Sequence, residues 1–310
     1  MAICAALLHV LLALVLAPLL LGIINRTKAL VAGRRGQPLL QTYYDLAKLL
    51  CKGAVYSRTT TWVFRMGPVV ALAGLLLVLP MIPLGGVPAV VAFQGDLLLV
   101  AYLLGVARFA TVLAALDTGS SFEGMGASRE VQFSALAEPA LILGLAAMAV
   151  QAAQALQAQP LSLTAIYAAI RPETLPQAGP VLLLVAAALA AVFLAENARI
   201  PVDDPNTHLE LTMIHEVMVL DHGGPDFALI QYTAALKLWV LGTLLVGVLV
   251  PVRSGWPLVD LLAGVLGLGI LAVFTGLVES TLARLRLVRV PQFLVAASVL
   301  SILALFLVLR

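Results

Sequence analysis

The chain has 310 residues, 62% of them hydrophobic and 11% charged, with a mean hydropathy of +1.07. Soluble domains average about 45–50% apolar and about 25% charged residues, so this composition excludes a soluble enzyme, a disordered chain and a nucleic-acid binder. The formal net charge is only +2; the information lies in where the charges fall.

A bilayer core of about 30 Å takes about 20 apolar residues of helix. In chain order the apolar runs predict eight spans, at residues 2–24, 66–84, 97–116, 131–156, 175–196, 227–250, 256–279 and 290–309. The first has no basic residue before it and no cleavage signature, so it reads as a helix and not as a removed signal peptide. Between the first two spans, residues 37–52 place Leu39, Leu40, Tyr43, Leu46, Ala47 and Leu50 on one face and Gln41, Asp45, Lys48 and Lys52 on the other. That pattern predicts an amphipathic helix lying in the membrane interface, as a plain anchor or with a polar face that docks a partner. The second span ends at Pro80, Pro83, Pro88 and the pair Gly85–Gly86, which a helix cannot pass. The fold class expected is therefore an all-α integral membrane protein, eight transmembrane helices plus one interfacial helix, forming a single membrane domain over residues 1–310.

Lys and Arg set the orientation. Of the eighteen, thirteen fall in the odd-numbered connections, two lie inside spans (Arg108 and Lys237), and only Arg171, Arg253 and Arg310 lie on the opposite side. The odd connections, approximately residues 25–65, 117–130, 197–226 and 280–289, are thus expected in the cytoplasm, with both termini on the outer side.

Ionisable groups inside spans cost about 2.5–3.5 kcal/mol each on insertion scales, so each needs a reason. Here they are Arg108, Glu138, Glu196, Lys237, Asp260 and Glu279, with Asp117 at a span end. All except Asp260 belong to the cytoplasmic half, which fits a half-channel or cavity better than a complete pore. The alternative is structural ion pairing, with Arg108 or Lys237 neutralising a glutamate. A desolvated carboxylic acid can also stay protonated near neutral pH and relay protons.

The connection 197–226 is the densest chemistry, with Arg199, Asp203, Asp204, Glu210, Glu216, Asp221, Asp226 and three histidines. Asp204-Pro205 reads as a helix start, and Gly223-Gly224-Pro225 as a helix end. His208, His215 and His222 recur every seven residues, which would set them along one helical face about 10 Å apart. That is too far for one zinc site, so a hydrated funnel or a partner-facing surface is expected there. His9, isolated in an apolar helix, is expected to be merely hydrogen-bonded. Cys4 and Cys51 form no C-x-x-C and read as small apolar fillers. Neither a Walker A loop nor a dinucleotide fingerprint is present, so no cofactor or metal is expected in this chain.

Arg35-Gly36 with Gln41-Thr42-Tyr43-Tyr44-Asp45-Leu46-Ala47-Lys48-Leu49-Leu50 resembles the first cytoplasmic loop of the family that includes respiratory complex I subunit 1. Leu116-Asp117-Thr118-Gly119-Ser120, Phe122, Gly126-Ala127-Ser128-Arg129-Glu130 and Glu138-Pro139 are similar to its hydrogenase branch, that of formate hydrogenlyase subunit 4 and hydrogenase-4 component C. Glu196, Arg199, Pro201, Asp203, Pro205 and Glu210 resemble the fifth–sixth loop of both branches, and Ala283-Arg284-Leu285-Arg286 the stretch before the last span. The chain departs from complex I at Asn206 and His208, where glutamates are common, at Asp204 and at Thr42.

The resemblance implies a non-catalytic membrane-arm subunit of a bacterial or archaeal cytoplasmic membrane complex. Its partners would be peripheral hydrogenase large and small subunits, an iron–sulfur subunit and antiporter-like membrane subunits, with the nickel-iron site and iron–sulfur clusters held by those partners. The family's buried acids map onto Glu138, Glu196, Asp203 and Glu210. Asp204, Glu216, Lys237, Glu279, Arg108 and Asp117 would complete a coupling path for protons or sodium. Arg34, Arg35, Asp45, Lys48, Glu123, Arg129, Glu130 and Arg199 would dock the peripheral arm. Two other readings stay open at this point: a quinone-site subunit of a complex I-like oxidoreductase, and a stand-alone ion transporter, against which the charge-poor outer half argues.

Overall fold

The computed structural model describes residues 2–157, 160–204 and 213–310. Ten α-helices are present among the described residues, with no strand. Eight of them are long and apolar enough to cross a membrane, so this is a multi-pass membrane protein. An even number of crossings returns the chain to the side on which it begins.

Helix α1 (Ala2–Val31) outruns its apolar stretch, because nothing in the sequence through Arg26 and Lys28 breaks a helix. The interfacial helix α2 (Gln41–Leu50) is shorter than the 37–52 predicted. Pro38 lacks an N–H, and the chain turns there, with Gln41 N donating to Pro38 O at 3.1 Å. None of the residues of α2 is buried, and the Tyr43 hydroxyl donates to the Val15 carbonyl of α1. Helix α3 (Trp62–Val78) is capped by Thr61, whose hydroxyl accepts from Val63 N, and ends in a single 3₁₀ turn at Leu79–Met81.

The largest departure from the expected boundaries follows α4 (Asp96–Asp117). Helix α5 (Ser121–Leu156) begins ten residues before the predicted fourth span, so the expected cytoplasmic loop 117–130 shrinks to a turn around Gly119, at φ +70°. No glycine pair or proline interrupts residues 121–130, and polarity alone does not end a helix outside the lipid. At 36 residues α5 is about 54 Å long, well beyond the bilayer core. A short helix α6 (Leu163–Ala169) and α7 (Leu175–Glu196) follow.

Gly223-Gly224-Pro225 starts a helix instead of ending one: α8 runs Gly224–Leu249, with Pro225 in its first turn where a missing N–H costs nothing. Gly224 sits at φ +55°, and a Cβ there would lie 2.6 Å from Gly53 O, so glycine is required twice over. Helices α9 (Pro257–Thr281) and α10 (Val290–Leu309) complete the chain.

Helix α8 is the most enclosed crossing, with 78% of its apolar window inside the protein, and it packs against α1, α2, α3, α7 and α9. On its far side α5, α7 and α10 pack on one another, and α3 pairs with α4. Trp239 of α8 donates from Nε1 to His9 Nε2 at 3.3 Å, so His9 is hydrogen-bonded as expected. Cys4 and Cys51 are both exposed, not fillers of the core. Without a hydrophobic drive between helices in lipid, close approach depends on small residues. Gly276 of α9 is such a point, since a Cβ there would lie 2.8 Å from Thr27 Cβ and 2.9 Å from Ile24 O of α1. Gly276→Val is therefore expected to destabilise the α1–α9 contact by about 1–3 kcal/mol, read as a lowered melting temperature in detergent. Gly269→Ala on the same helix, where a Cβ meets nothing within 4 Å, should leave it unchanged.

Candidate functional site

At the end of the bundle that carries the odd connections, helix geometry brings ionisable groups from distant parts of the sequence together. Arg108 lies nine residues, about 14 Å of helical rise, before the end of α4. Its guanidinium is planar with five donors, and three carboxylates surround it. Nη1 donates to Glu138 Oε1 at 2.6 Å, Nη2 donates to Glu196 Oε1 at 2.7 Å, and Nε stands 3.5 Å from Glu130 Oε1. Glu130 and Glu138 are eight residues apart on α5, hence on one face two turns apart, and Glu196 closes the third side from the last residue of α7.

The contacts continue in both directions. Glu196 Oε2 pairs with Lys237 Nζ of α8 at 2.7 Å. Glu130 Oε2 pairs with His215 Nε2 at 3.0 Å, His215 Nδ1 reaches Asp203 Oδ2 at 3.2 Å, and Asp203 Oδ1 accepts from Arg284 Nη2 at 2.8 Å. Lys237, Glu196, Arg108, Glu130, His215, Asp203 and Arg284 thus form an unbroken ladder of alternating sign. A second cluster stands beside it: Glu279, with no exposed side-chain surface, pairs with Lys28 at 2.7 Å and Arg199 at 3.3 Å.

His215 holds the ladder between membrane and connection. Burial alone would push its pKa down, but the facing Glu130 and Asp203 carboxylates outweigh that and raise it to about 10. It therefore carries a proton throughout the neutral range. Asp203 is held below the usual carboxylate range against its own burial, by hydrogen bonds from the His215 ring and backbone and by Arg284. Its Oδ2 also accepts from Ile214 N and His215 N, both at 3.2 Å, which ties the connection to the ladder.

The expected coupling residues divide accordingly. Arg108, Glu138, Glu196, Asp203 and Lys237 join the ladder, and Glu279 belongs to the second cluster. Asp117 joins neither, because it accepts from Thr61 N at 2.7 Å and Phe64 N at 3.2 Å and so caps α3. Asp204 and Glu216 flank the ladder in the connection, Glu216 opening a 3₁₀ turn. Glu210, with Pro205, Asn206 and His208, lies outside the described residues.

Three residues expected on a docking surface are buried instead: Glu123, which accepts from Asp221 N, Glu130 in the ladder, and Arg199 on Glu279. The physical reason is the early start of α5, which draws residues 121–130 into the bundle, and the packing of the connection over them. Arg129 donates to Met213 O at 2.8 Å, holding the same connection. Arg34, Arg35 and Lys48 are exposed, and half-buried Asp45 accepts from Gln41 Nε2 at 2.9 Å.

The seven-residue spacing of the histidines has no single-face meaning. His215 precedes a 3₁₀ turn (Glu216–Val219), and His222 stacks on Phe64 with ring centroids 3.9 Å apart. The residues that sequence reasoning missed are His215, Arg284 and Lys28 as bridging partners. Their signal was their placement in connections between charge-bearing spans, which does not reveal who faces whom.

Arg108→Gln leaves Glu130 and Glu196 buried against each other and should cost about 3–5 kcal/mol; adding Glu196→Gln should recover part of that loss in the melting temperature. For His215 the folded pKa lies above the 6.5 of the free side chain, so its stabilisation is complete below about pH 6.5 and is lost as pH rises through about 10. The melting temperature should therefore fall across that interval, and fall less steeply in His215→Gln.

Residues 3–309 match the family model described as NADH dehydrogenase. The chain is 32% identical over 282 residues to formate hydrogenlyase subunit 4 of Escherichia coli (strain K12), covering 89% of each chain. It is also 32% identical over 277 residues to hydrogenase-4 component C of the same organism, covering 87% of this chain and 84% of that one. Among solved structures, a chain of the membrane-bound sulfane sulfur reductase, an archaeal respiratory membrane complex, shares the fold, with a TM-score of 0.81 and 21% identity over 99% of both chains. Carrying the family's match from end to end, with curated relatives at 32% identity over most of its length, the chain belongs to the NADH dehydrogenase family of complex I subunit 1-like membrane proteins, together with formate hydrogenlyase subunit 4 and hydrogenase-4 component C.

Proposed function

We propose that this chain is the membrane-anchor and coupling subunit of a membrane-bound [NiFe]-hydrogenase or formate hydrogenlyase-type complex, docking a peripheral redox arm and linking it to proton or sodium movement. The observation that carries this reading is the alternating ladder from Lys237 to Arg284, which joins mid-membrane to an outside connection through contacts of 2.7–3.5 Å. Each step swaps the sign of charge, so a change of protonation at one end alters the field on the next group. A plain structural pair needs two groups, not seven.

In this reading the ladder end lies in the cytoplasm and both termini face outward, supported by the excess of Lys and Arg in the odd connections. Exposed Arg34, Arg35 and Lys48, with Asp45, form the docking face around the interfacial helix α2. The redox groups, iron–sulfur clusters and a nickel-iron site, belong to the peripheral large, small and iron–sulfur subunits. Glu138 supports antiporter-like neighbours within the membrane. Its side chain is 47% exposed on the flank of α5, one turn before exposed Ile142. A carboxylate open to lipid at that depth is expensive, and a neighbouring membrane subunit would remove it from lipid. Glu196, Asp203, Asp204, Glu210, Glu216 and Glu279 supply the acidic inner path.

Purification of the tagged chain under mild detergent should bring the hydrogenase subunits with it; a stable monomer overturns the proposal. In the intact complex, Glu138→Gln should reduce ion translocation at least fivefold, read as a pH or sodium gradient in proteoliposomes. Hydrogenase activity with a soluble electron donor, and assembly, should remain within twofold of wild type. Loss of assembly instead would make Glu138 a structural pair.

A further inference from the structure

The end of the bundle opposite the ladder is nearly free of positive charge. Among the described residues, Arg171, Arg253 and Arg310 are the only arginines or lysines in the connections and terminus at that end, and two of these three line one cavity of about 420 Å³. That volume falls within the usual range of small-ligand sites. The walls are the 82–88 segment, α6 and the 250–256 connection, and the cavity lies at the level of the first turn of α9.

The cavity is built, not incidental. Leu84 and Val87 form a tight β-bridge over Gly85–Gly86, with Gly85 at φ +57°. A Cβ on Gly85 would lie 2.9 Å from Asp260 O, and one on Gly86 would strike the Asp260 carboxylate, so this glycine pair is needed to seat α9 there. Asp260 is fixed by Ser254, whose N and Oγ donate to Oδ1 at 2.8 and 2.7 Å. Arg253 is held by two backbone carbonyls, donating from Nη1 to Val252 O at 2.9 Å and from Nη2 to Tyr167 O at 3.0 Å. Its Nε is buried with no partner. No carboxylate lies within 4.0 Å of this guanidinium among the described residues, so Asp260 acts on it only from a distance and no direct ion pair holds it. Exposed Arg171 and Glu173 stand on the rim.

Two positive and two negative side chains in one cavity favour a ligand that carries both signs. An isolated anion would satisfy Arg253 and Arg171 but face Glu173 and Asp260. The setting adds a third requirement. Trp256 is exposed beside the cavity, where an amphipathic ring marks the lipid–water boundary. Below it, Leu258, Leu262, Leu266 and Ile270 form an exposed stripe at four-residue spacing down α9.

We propose that this cavity binds the headgroup of a zwitterionic phospholipid with a primary ammonium. The phosphate lies against Arg253 and Arg171, the ammonium against Glu173 and Asp260, and the acyl chains lie along the α9 stripe. Guanidinium–phosphate and ammonium–carboxylate pairs are charge-assisted hydrogen bonds, and they are stronger where water is partly excluded.

The test uses the full chain extracted in mild detergent and weighed by native mass spectrometry, then delipidated and given phosphatidylethanolamine, phosphatidylglycerol or inorganic phosphate while its melting temperature is followed. Wild type should retain one phosphatidylethanolamine, and the double variant Arg171→Gln/Arg253→Gln should retain at least tenfold less. Glu173→Gln should lower the preference for phosphatidylethanolamine over phosphatidylglycerol at least threefold. Arg253 also supports two carbonyls, so if its variant fails to fold, the rim variants Arg171→Gln and Glu173→Gln decide the question by the same readouts. Unchanged lipid retention in the variants overturns the proposal. So does equal stabilisation by inorganic phosphate, equal affinity for the two lipids, or a protein segment in place of a lipid.

Discussion

The guanidinium of Arg108 pairs with neither acid of its own helix, Asp96 and Asp117, and takes three carboxylates from two others. Glu130 and Glu138 of α5 and Glu196 of α7 converge on it, and each would be a costly guest in the bundle without a cation. The converse holds as well, since Arg108 without these acids would be an uncompensated charge inside the bundle. This mutual dependence sets the rotation of α4, α5 and α7 about their axes. The rest of the ladder then follows, because Glu196 has an oxygen left for Lys237 and Glu130 has one left for His215. Glu196, Glu130 and Asp203 each serve two cations, and that sharing turns separate ion pairs into a continuous series.

The connection before α8 is organised by the same electrostatics. It lacks a regular helix over most of its described length, yet it is not loose. Asp203 accepts from two backbone N–H groups, the His215 ring and Arg284, and Arg129 holds Met213. The ladder therefore supports the fold of an irregular segment while joining it to mid-membrane groups. The second cluster, Lys28–Glu279–Arg199, ties α1 and α9 to the same connection. The two ends of the molecule contrast: one holds most of the charge, the other a cavity lined by Arg171, Glu173, Arg253 and Asp260.

Much of this was legible in the residues and some was not. Spans 97–116, 175–196 and 290–309 agree with α4, α7 and α10 to within a residue or so, since apolar length is a local property. The run 117–130 was misread because it is polar, although nothing in it stops a helix. Glu123 and Glu130 consequently moved from an expected surface to the interior. Gly223-Gly224-Pro225 carries the same letters whether it ends one helix or begins another; the close approach of Gly53 O decides which. The histidine spacing misled for a similar reason, since a period has meaning only along a continuous helix.

The sequence by itself determined the solvent, the number of crossings and the family, because hydrophobic length and short motifs are properties of contiguous residues. It also identified Arg108, Glu138, Glu196, Asp203 and Lys237 as charges in need of a reason. Only the tertiary structure decided who answers whom: Glu130, Glu138 and Glu196 on Arg108, His215 as the bridge to Asp203, and Arg171 with Arg253 around one cavity. Ion pairing acts over a few ångströms in space, and the partners Arg108–Glu196, Arg199–Glu279 and Lys28–Glu279 lie from about 80 to about 250 residues apart in the chain, a separation that no local pattern encodes.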